Sequence, residues 1–281
     1  MRVLVTGAAG MLGRTLLRTL TGHETVAIDV DECDITRPDD VDRAVGDAAP
    51  DCVIHCAAFT AVDDCETHPD RAWAVNALGS ANVASACARA GARLLALSTD
   101  YVFSGDRGRP AHEWDEPAPR TVYGRTKLAG ERAVRELCPN HLIARTAWLY
   151  GPGGPSFVHT MLRLGAEDGE PLKVVNDQRG NPTSTDALAA AIAGLVDSAL
   201  SGTVHLSCEG EATWYDLTCE LFRLAGLKRQ VTPCTTDEFP RPAPRPADSR
   251  LEKRVLRLAG LPPMPNWRDA LGRFLTEHPD R

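Results

Sequence analysis

The first thirteen residues constrain this chain more than any other stretch. An apolar run, Arg2-Val3-Leu4-Val5-Thr6, leads straight into Gly7-Ala8-Ala9-Gly10-Met11-Leu12-Gly13, and helix-forming sequence comes next. A strand that turns into a helix through three spaced glycines is the entry to a parallel α/β sheet. Gly7 permits the tight turn, Gly10 lets the backbone approach a bound group, and Gly13 lets the helix pack closely on the strand. The new helix, with Met11 and Leu12 in its first turn, then offers unpaired N–H groups and a partial positive charge to a diphosphate. In that context the pattern points to a dinucleotide.

The same strand-then-helix unit recurs along the first half of the chain. Apolar runs at 24–29, 52–56, 93–98 and 142–146 read as buried parallel strands, and 11–21, 37–47, 69–90 and 121–137 read as helices. Alternating βα units of this kind build a Rossmann-like, doubly wound α/β sheet covered on both faces. After residue 147 the pattern breaks at Gly151-Pro152-Gly153-Gly154-Pro155. Short strands at 172–176 and 203–207, helices at 184–199 and from Thr213, and a proline-rich stretch at 239–249 complete the chain. The expected organisation is a cofactor-binding domain of residues 1–146 plus about 172–200. A smaller C-terminal substrate-binding domain would comprise about 147–171 plus 201–281.

Composition removes several function classes. The 281 residues carry a net charge of −7, which argues against a nucleic-acid partner, since phosphate neutralisation needs a basic face. No apolar stretch approaches the ~20 residues that span a bilayer, so no membrane partner is expected. The opening residues run directly into a strand and leave no room for a secretory apolar region, which predicts a cytoplasmic protein. Nine scattered cysteines form no C-x-x-C pair and read as reduced core thiols rather than zinc ligands.

Four positions suggest chemistry. Asp29 ends the second strand, where an acid accepts hydrogen bonds from ribose hydroxyls. Its charge favours NADH by repelling a 2′-phosphate, but Arg14 offsets that repulsion in part, and NADPH or NADH both stay open. Tyr123 and Lys127 stand at i and i+4 on one helix face. An ammonium beside the phenol is expected to lower its pKa toward neutrality and make Tyr123 a proton donor to a carbonyl oxygen. Thr99 closes the fourth strand, at the sheet edge where ligands bind, and its hydroxyl is suited to donate to the same oxygen.

Longer strings carry a resemblance. Ala57-Ala58-Phe59-Thr60-Ala61-Val62-Asp63, Ser98-Thr99-Asp100-Tyr101-Val102-Phe103-Ser104-Gly105 and Tyr123-Gly124-Arg125-Thr126-Lys127-Leu128-Ala129-Gly130-Glu131 recur in one family. So do Arg145-Thr146-Ala147-Trp148, Asp177-Gln178-Arg179-Gly180-Asn181-Pro182-Thr183 and Arg245-Pro246-Ala247-Asp248-Ser249-Arg250-Leu251. With these strings the chain resembles the dTDP-4-dehydrorhamnose reductase family of the extended short-chain dehydrogenases. The resemblance implies reduction of the C4 ketone of dTDP-4-dehydro-β-L-rhamnose by NADPH or NADH, with Thr99, Tyr123 and Lys127 catalytic.

It further implies cofactor contacts from Gly7, Gly10, Met11, Leu12, Gly13, Asp29, Asp34, Ile35, Ala57, Ala58 and Thr60, besides Tyr123 and Lys127. The dTDP-sugar would meet Val62, Thr99, Asp100, Tyr101, Tyr123 and Trp148, and Asn76 would support the site. Arg241 and Arg245 carry the bidentate guanidinium suited to a diphosphate, or are solvated charges on the proline-rich loop; Arg245 is the candidate retained. Trp148, Tyr101 and Asn76 each have a packing role as their alternative.

Some members of the family form metal-linked dimers through an acid in the first helix. Here that helix has no acid, so no metal is expected, and the chain is expected to be a monomer or weak homodimer. A sugar-nucleotide dehydratase would need an acid at the position of Tyr101. Reduction of another dTDP-4-keto sugar remains open, as does, more remotely, a non-catalytic NADP-binding subunit.

Overall fold

The computed structural model describes residues 1–279. Four βα steps and a fifth strand build its first half: β1 (Arg2–Thr6), α1 (Met11–Thr19), β2 (Glu24–Ile28), α2 (Pro38–Ala48), β3 (Cys52–His55), α3 (Ser80–Ala90), β4 (Arg93–Thr99), α4 (Val122–Leu137) and β5 (His141–Thr146). Beyond them lie α5 (Phe157–Ala166), β6 (Leu172–Val175), α6 (Thr185–Val196), β7 (Gly202–His205), α7 (Trp214–Ala225), β8 (Val231–Cys234) and α8 (Trp267–Glu277).

The central sheet has six strands in the order β2-β1-β3-β4-β5-β7, and every pairing is parallel. Its strands are near-continuous apolar runs because helices cover both faces. Val3, Val5, Ile54 and Leu142 pack with α1 and α6 on one face. Leu4, Val53, Leu94 and Ile143 pack with α2 and α3 on the other. The chain steps from β1 outward to β2 and then crosses back to β3. That reversal opens a crevice at the carboxyl ends of β1 and β3, the ligand position in open α/β sheets.

A third apolar cluster lies beyond the sheet. Tyr150, Met161, Phe222, Trp267 and Phe274 join α5, α7 and α8 in it. Thr213 starts α7 with a reciprocal cap, accepting from Asp216 N while the Asp216 carboxylate accepts from Thr213 N.

Two boundaries differ from those expected. Residues 172–175 do not return to the first half but pair in parallel with β8. Conversely, β7 extends the central sheet, setting Val204 opposite Ala144. Val204 packs in the cluster under α1 and α6, whereas Val174 of β6 packs in the separate cluster with α5 and α7. α6 packs on α1.

The long helix read at 69–90 is interrupted. Short helices at Val62–Thr67 and Pro69–Ala72 lead into a π-helical stretch, Trp73–Gly79, before α3 begins. Wider turns of this type gather at functional sites because they re-aim side chains. Here Asn76 is fully buried: its Oδ1 accepts from Phe59 N (2.8 Å), and its Nδ2 donates to Phe59 O (3.0 Å) and Thr126 Oγ1 (3.1 Å). Asn76 thus ties the loop after β3 to α4.

Candidate active site

The crevice is a cleft of about 820 Å³. Its floor is the glycine turn. Gly7 has φ of +66°, and a Cβ there would stand 2.6 Å from Ala57 N. A Cβ on Gly13 would stand 2.3 Å from Gly7 O. Both positions therefore exclude any side chain, and the turn rests directly on the end of β3. Gly10, Met11, Leu12 and Gly13 line the cleft, and no acid or side-chain cap neutralises this helix start. It is a seat for an anion.

Asp29 stands beside the turn. Its Oδ2 accepts from Ala9 N and its Oδ1 from Val30 N, each at 2.8 Å, so the carboxylate braces the glycine turn while lining the cleft. Arg14 donates from Nε to Ala9 O (2.7 Å) on the same turn. Asp34 Oδ1 accepts from Thr36 Oγ1 and Thr36 N, which hold its carboxyl below the usual range. Asp34, Ile35, Ala57, Ala58, Thr60 and Val62 complete this half of the wall.

Tyr123 and Lys127 reach the cleft from α4, and Thr99 from the end of β4. Thr121 caps α4 by accepting from Gly124 N (2.9 Å), which fixes where the helix starts and so where Tyr123 points. Lys127 is buried, and its Nζ donates to Leu97 O at 2.8 Å. Burial lowers its pKa to about 8 against the pull of Glu131. Thr99 Oγ1 donates to Asp100 Oδ1 (2.9 Å) and accepts from Tyr101 N (3.2 Å).

The acidified phenol expected from the Tyr–Lys spacing is not found in the chain itself. Burial pushes the Tyr123 phenol above its ordinary pKa, and a hydrogen bond with Thr99 only partly opposes this. The physical reason is desolvation: the ring is buried against the edge of Tyr101 (centroids 5.5 Å), and the Lys127 ammonium is turned to a backbone carbonyl. Tyr123 therefore holds its proton at neutral pH. That is the form an acid needs.

Trp148 forms the far wall. It has φ of +48°, a region non-glycine residues seldom occupy, and its Nε1 donates to Ser249 Oγ (2.9 Å). Its indole stacks flat on Trp214 with centroids 3.5 Å apart. Trp214 donates from its own Nε1 to Gln178 Oε1 (3.0 Å). No sequence pattern points to Trp214; a residue just inside a helix start carries no such signal. Arg71, also unforeseen, lines the cleft and lies over the Phe59 ring.

Two expected residues stand apart from the lining. Asp100 is buried beneath Thr99, where desolvation pushes its carboxyl up to about 7. Arg245 is paired with Asp63 (2.8 Å) and also donates to Ala243 O (3.2 Å); its guanidinium is committed within the protein rather than turned into the cleft. Arg241 is exposed. Away from the cleft, Asp186, Glu277 and His278 bring ligand-type atoms within 4.8 Å of one another.

Sheet order, glycine turn and the Thr–Tyr–Lys grouping together define a reductase of the short-chain dehydrogenase class. Comparison with known proteins narrows this. The model of the RmlD substrate binding domain family matches residues 1–279, and the chain belongs to that family. It is 48% identical over 279 residues to a dTDP-4-dehydrorhamnose reductase of Streptomyces griseus, covering 96% of this chain and 91% of the relative. To the enzyme of that name from Mycolicibacterium smegmatis it is 45% identical, covering 96% and 84%. Among solved structures, a dTDP-4-dehydrorhamnose reductase of Bacillus anthracis in complex with NADP superposes with a TM-score of 0.96 at 42% identity, covering 98% of this chain and 99% of that one.

The indole wall depends on one absent side chain. A Cβ on Gly180 would lie 2.2 Å from Trp148 Cε2. Gly180→Ala should therefore cost about 1–3 kcal/mol of stability through overpacking and should change the tryptophan emission. Urea unfolding and fluorescence spectra check this; parent-like values for both would show that Trp148 does not rest on residue 180.

Proposed function

We propose that this chain reduces the C4 ketone of dTDP-4-dehydro-β-L-rhamnose to dTDP-L-rhamnose with NADPH or NADH. One observation carries the reading: Thr99, Tyr123 and Lys127 meet in a single cleft, between a glycine turn suited to a diphosphate and an indole wall suited to a sugar. The names of the relatives supply the substrate.

The cleft suits a nicotinamide dinucleotide on its own terms, because the start of α1 that lines it has neither an acid nor a side-chain cap to satisfy its N–H groups. The glycine turn with Met11 and Leu12 would hold the diphosphate, Asp29 the adenosine ribose, Ile35 and Ala57 to Thr60 the adenine and linking portion. Bound there, a reduced nicotinamide supplies the hydride. Tyr123 donates its proton to the ketone oxygen, and Thr99 holds that oxygen by turning to it the single hydroxyl proton that otherwise goes to Asp100 Oδ1. Lys127, cationic below its pKa of about 8, stabilises the phenolate left behind and would hold the ribose next to a bound nicotinamide. Val62, Tyr101 and Trp148 bound the sugar, while Asp100 orients Thr99 from below. Arg245 would reach the diphosphate of the substrate only by exchanging Asp63 for it.

Among the described residues no helix is long and apolar enough to cross a membrane. We place the reaction in the cytoplasm, where free thiols stay reduced.

The direct test is incubation with dTDP-4-dehydro-L-rhamnose and each reduced nicotinamide, followed by identification of the sugar formed. Formation of dTDP-L-rhamnose supports the proposal. No turnover of this ketosugar beside rapid turnover of another dTDP-4-keto sugar would reassign the substrate. Tyr123→Phe should lower kcat by about 10²- to 10⁴-fold and leave the dissociation constant of the cofactor near that of the parent, since it removes only the donor. Comparable kcat in the two proteins would remove Tyr123 from the mechanism. Asp29→Ala should weaken NADH more than NADPH, as read from KM for each; equal losses would mean that Asp29 only braces the glycine turn.

A further inference from the structure

Tyr123, Lys127 and Glu131 recur at four-residue intervals along α4, and they meet three neighbouring residues of β4. Tyr123 lines the cleft beside Thr99, Lys127 donates to Leu97 O, and Glu131 Oε1 accepts from Ser98 Oγ at 2.6 Å. Glu131 is 3% exposed and receives three further hydrogen bonds: Arg145 Nε (2.8 Å) on Oε1, and Arg145 Nη2 (2.7 Å) and Arg135 Nη2 (2.8 Å) on Oε2. Arg145 comes from β5, directly opposite Ser98 in the ladder. Glu131 itself does not line the cleft.

We infer that Glu131 is a positioning residue, the buried counter-charge that keeps Lys127 cationic and seated on the Leu97 carbonyl. A buried carboxylate with two guanidiniums is a poor way merely to fasten a helix, because desolvation offsets most of the attraction. Its place one turn beyond Lys127 gives it a task that an apolar side chain would not perform. The groups facing Lys127 from other elements lend it no negative charge. From β3 and its end come His55 and Cys56, both kept neutral by burial, with pKa values of about 3 and about 12. Leu97 of β4 offers only a carbonyl, and Tyr123 holds its proton. Arg145 of β5 and Arg135 of α4 oppose the cation from the far side of Glu131.

The catalytic consequence rests on the role proposed for Lys127, whereas the charge coupling does not, and the experiment separates them. The chain has four lysines, at 127, 173, 228 and 253, so an isotope-labelled lysine sample gives an assignable NMR titration. Glu131→Gln removes the carboxylate's charge and leaves the guanidiniums uncompensated; the Lys127 midpoint should fall by about one pH unit. Glu131→Asp keeps the charge and should restore most of the shift.

Arg135→Gln acts in the opposite sense. Its side chain is partly exposed at the rim, and its loss should raise the midpoint by roughly a few tenths of a unit. Should Glu131→Gln fail to fold, Arg135→Gln decides alone. Unmoved midpoints in the variants that fold would overturn the inference. Shifted midpoints uphold it. The alkaline limb of kcat should then track Lys127; a limb that stays in place while the midpoint moves would instead overturn the role given to Lys127 in the reaction.

Discussion

Parallel pairing of β1 with β3 is the constraint on which the rest of the molecule depends. The pairing sets Val5 beside Ile54 and leaves β2 on the outer side of β1. All six strands then end at one edge, and the chain must leave β1 and β3 in opposite directions. A crevice at that edge is a result of connectivity alone. The close fit of the glycine turn on Ala57 is the local expression of the same constraint, since a Cβ on Gly7 would drive the two strand ends apart. Residues far apart in sequence, from Gly7 to Trp148, share the cleft because they occupy successive strand ends.

The site combines two electrostatic regimes. At the helix start, N–H groups face open volume and await negative charge. Around Tyr123 the environment is dry, and its effect is to hold protons where they are: the phenol keeps its own, His55 stays neutral, and Lys127 is moved toward the working pH. A reductase needs an acid that is protonated before reaction and a nearby cation after it. Burial supplies the first condition directly. On the roles proposed for Tyr123 and Lys127, the second depends on the charge that the Glu131 carboxylate lends to Lys127.

Features set by local spacing are legible in the sequence. Gly7 and Gly13 declare a turn whatever surrounds them, and a four-residue interval puts Tyr123 and Lys127 on one face of any helix. Thr99 is found because strand ends are visible as apolar runs that stop. Features that depend on distant neighbours are not legible. The strand at 202–205 is four residues long and joins the sheet only because the edge of β5 needs a partner. The π-helical stretch at 73–79 is fixed by Asn76 reaching Phe59 and Thr126. The tyrosine's acidity departs from expectation because spacing reveals a neighbouring charge but not the water removed from around it. Trp214 escapes notice for a similar reason: its stacking on Trp148 joins two helix-and-loop segments sixty-six residues apart in sequence.

The proline-rich segment at 239–249 has a consequence for what the fold costs to form. Pro240, Pro242, Pro244 and Pro246 fix alternate backbone angles, Asp63 accepts from Ala243 N and from Arg245, and Asp248 N donates to Gly105 O. A strap so restrained has little conformational freedom left to lose, in the unfolded chain or on binding. Ordering it on folding therefore subtracts little from stability, and the contacts it makes with Asp63 and Gly105 are held at low entropic cost.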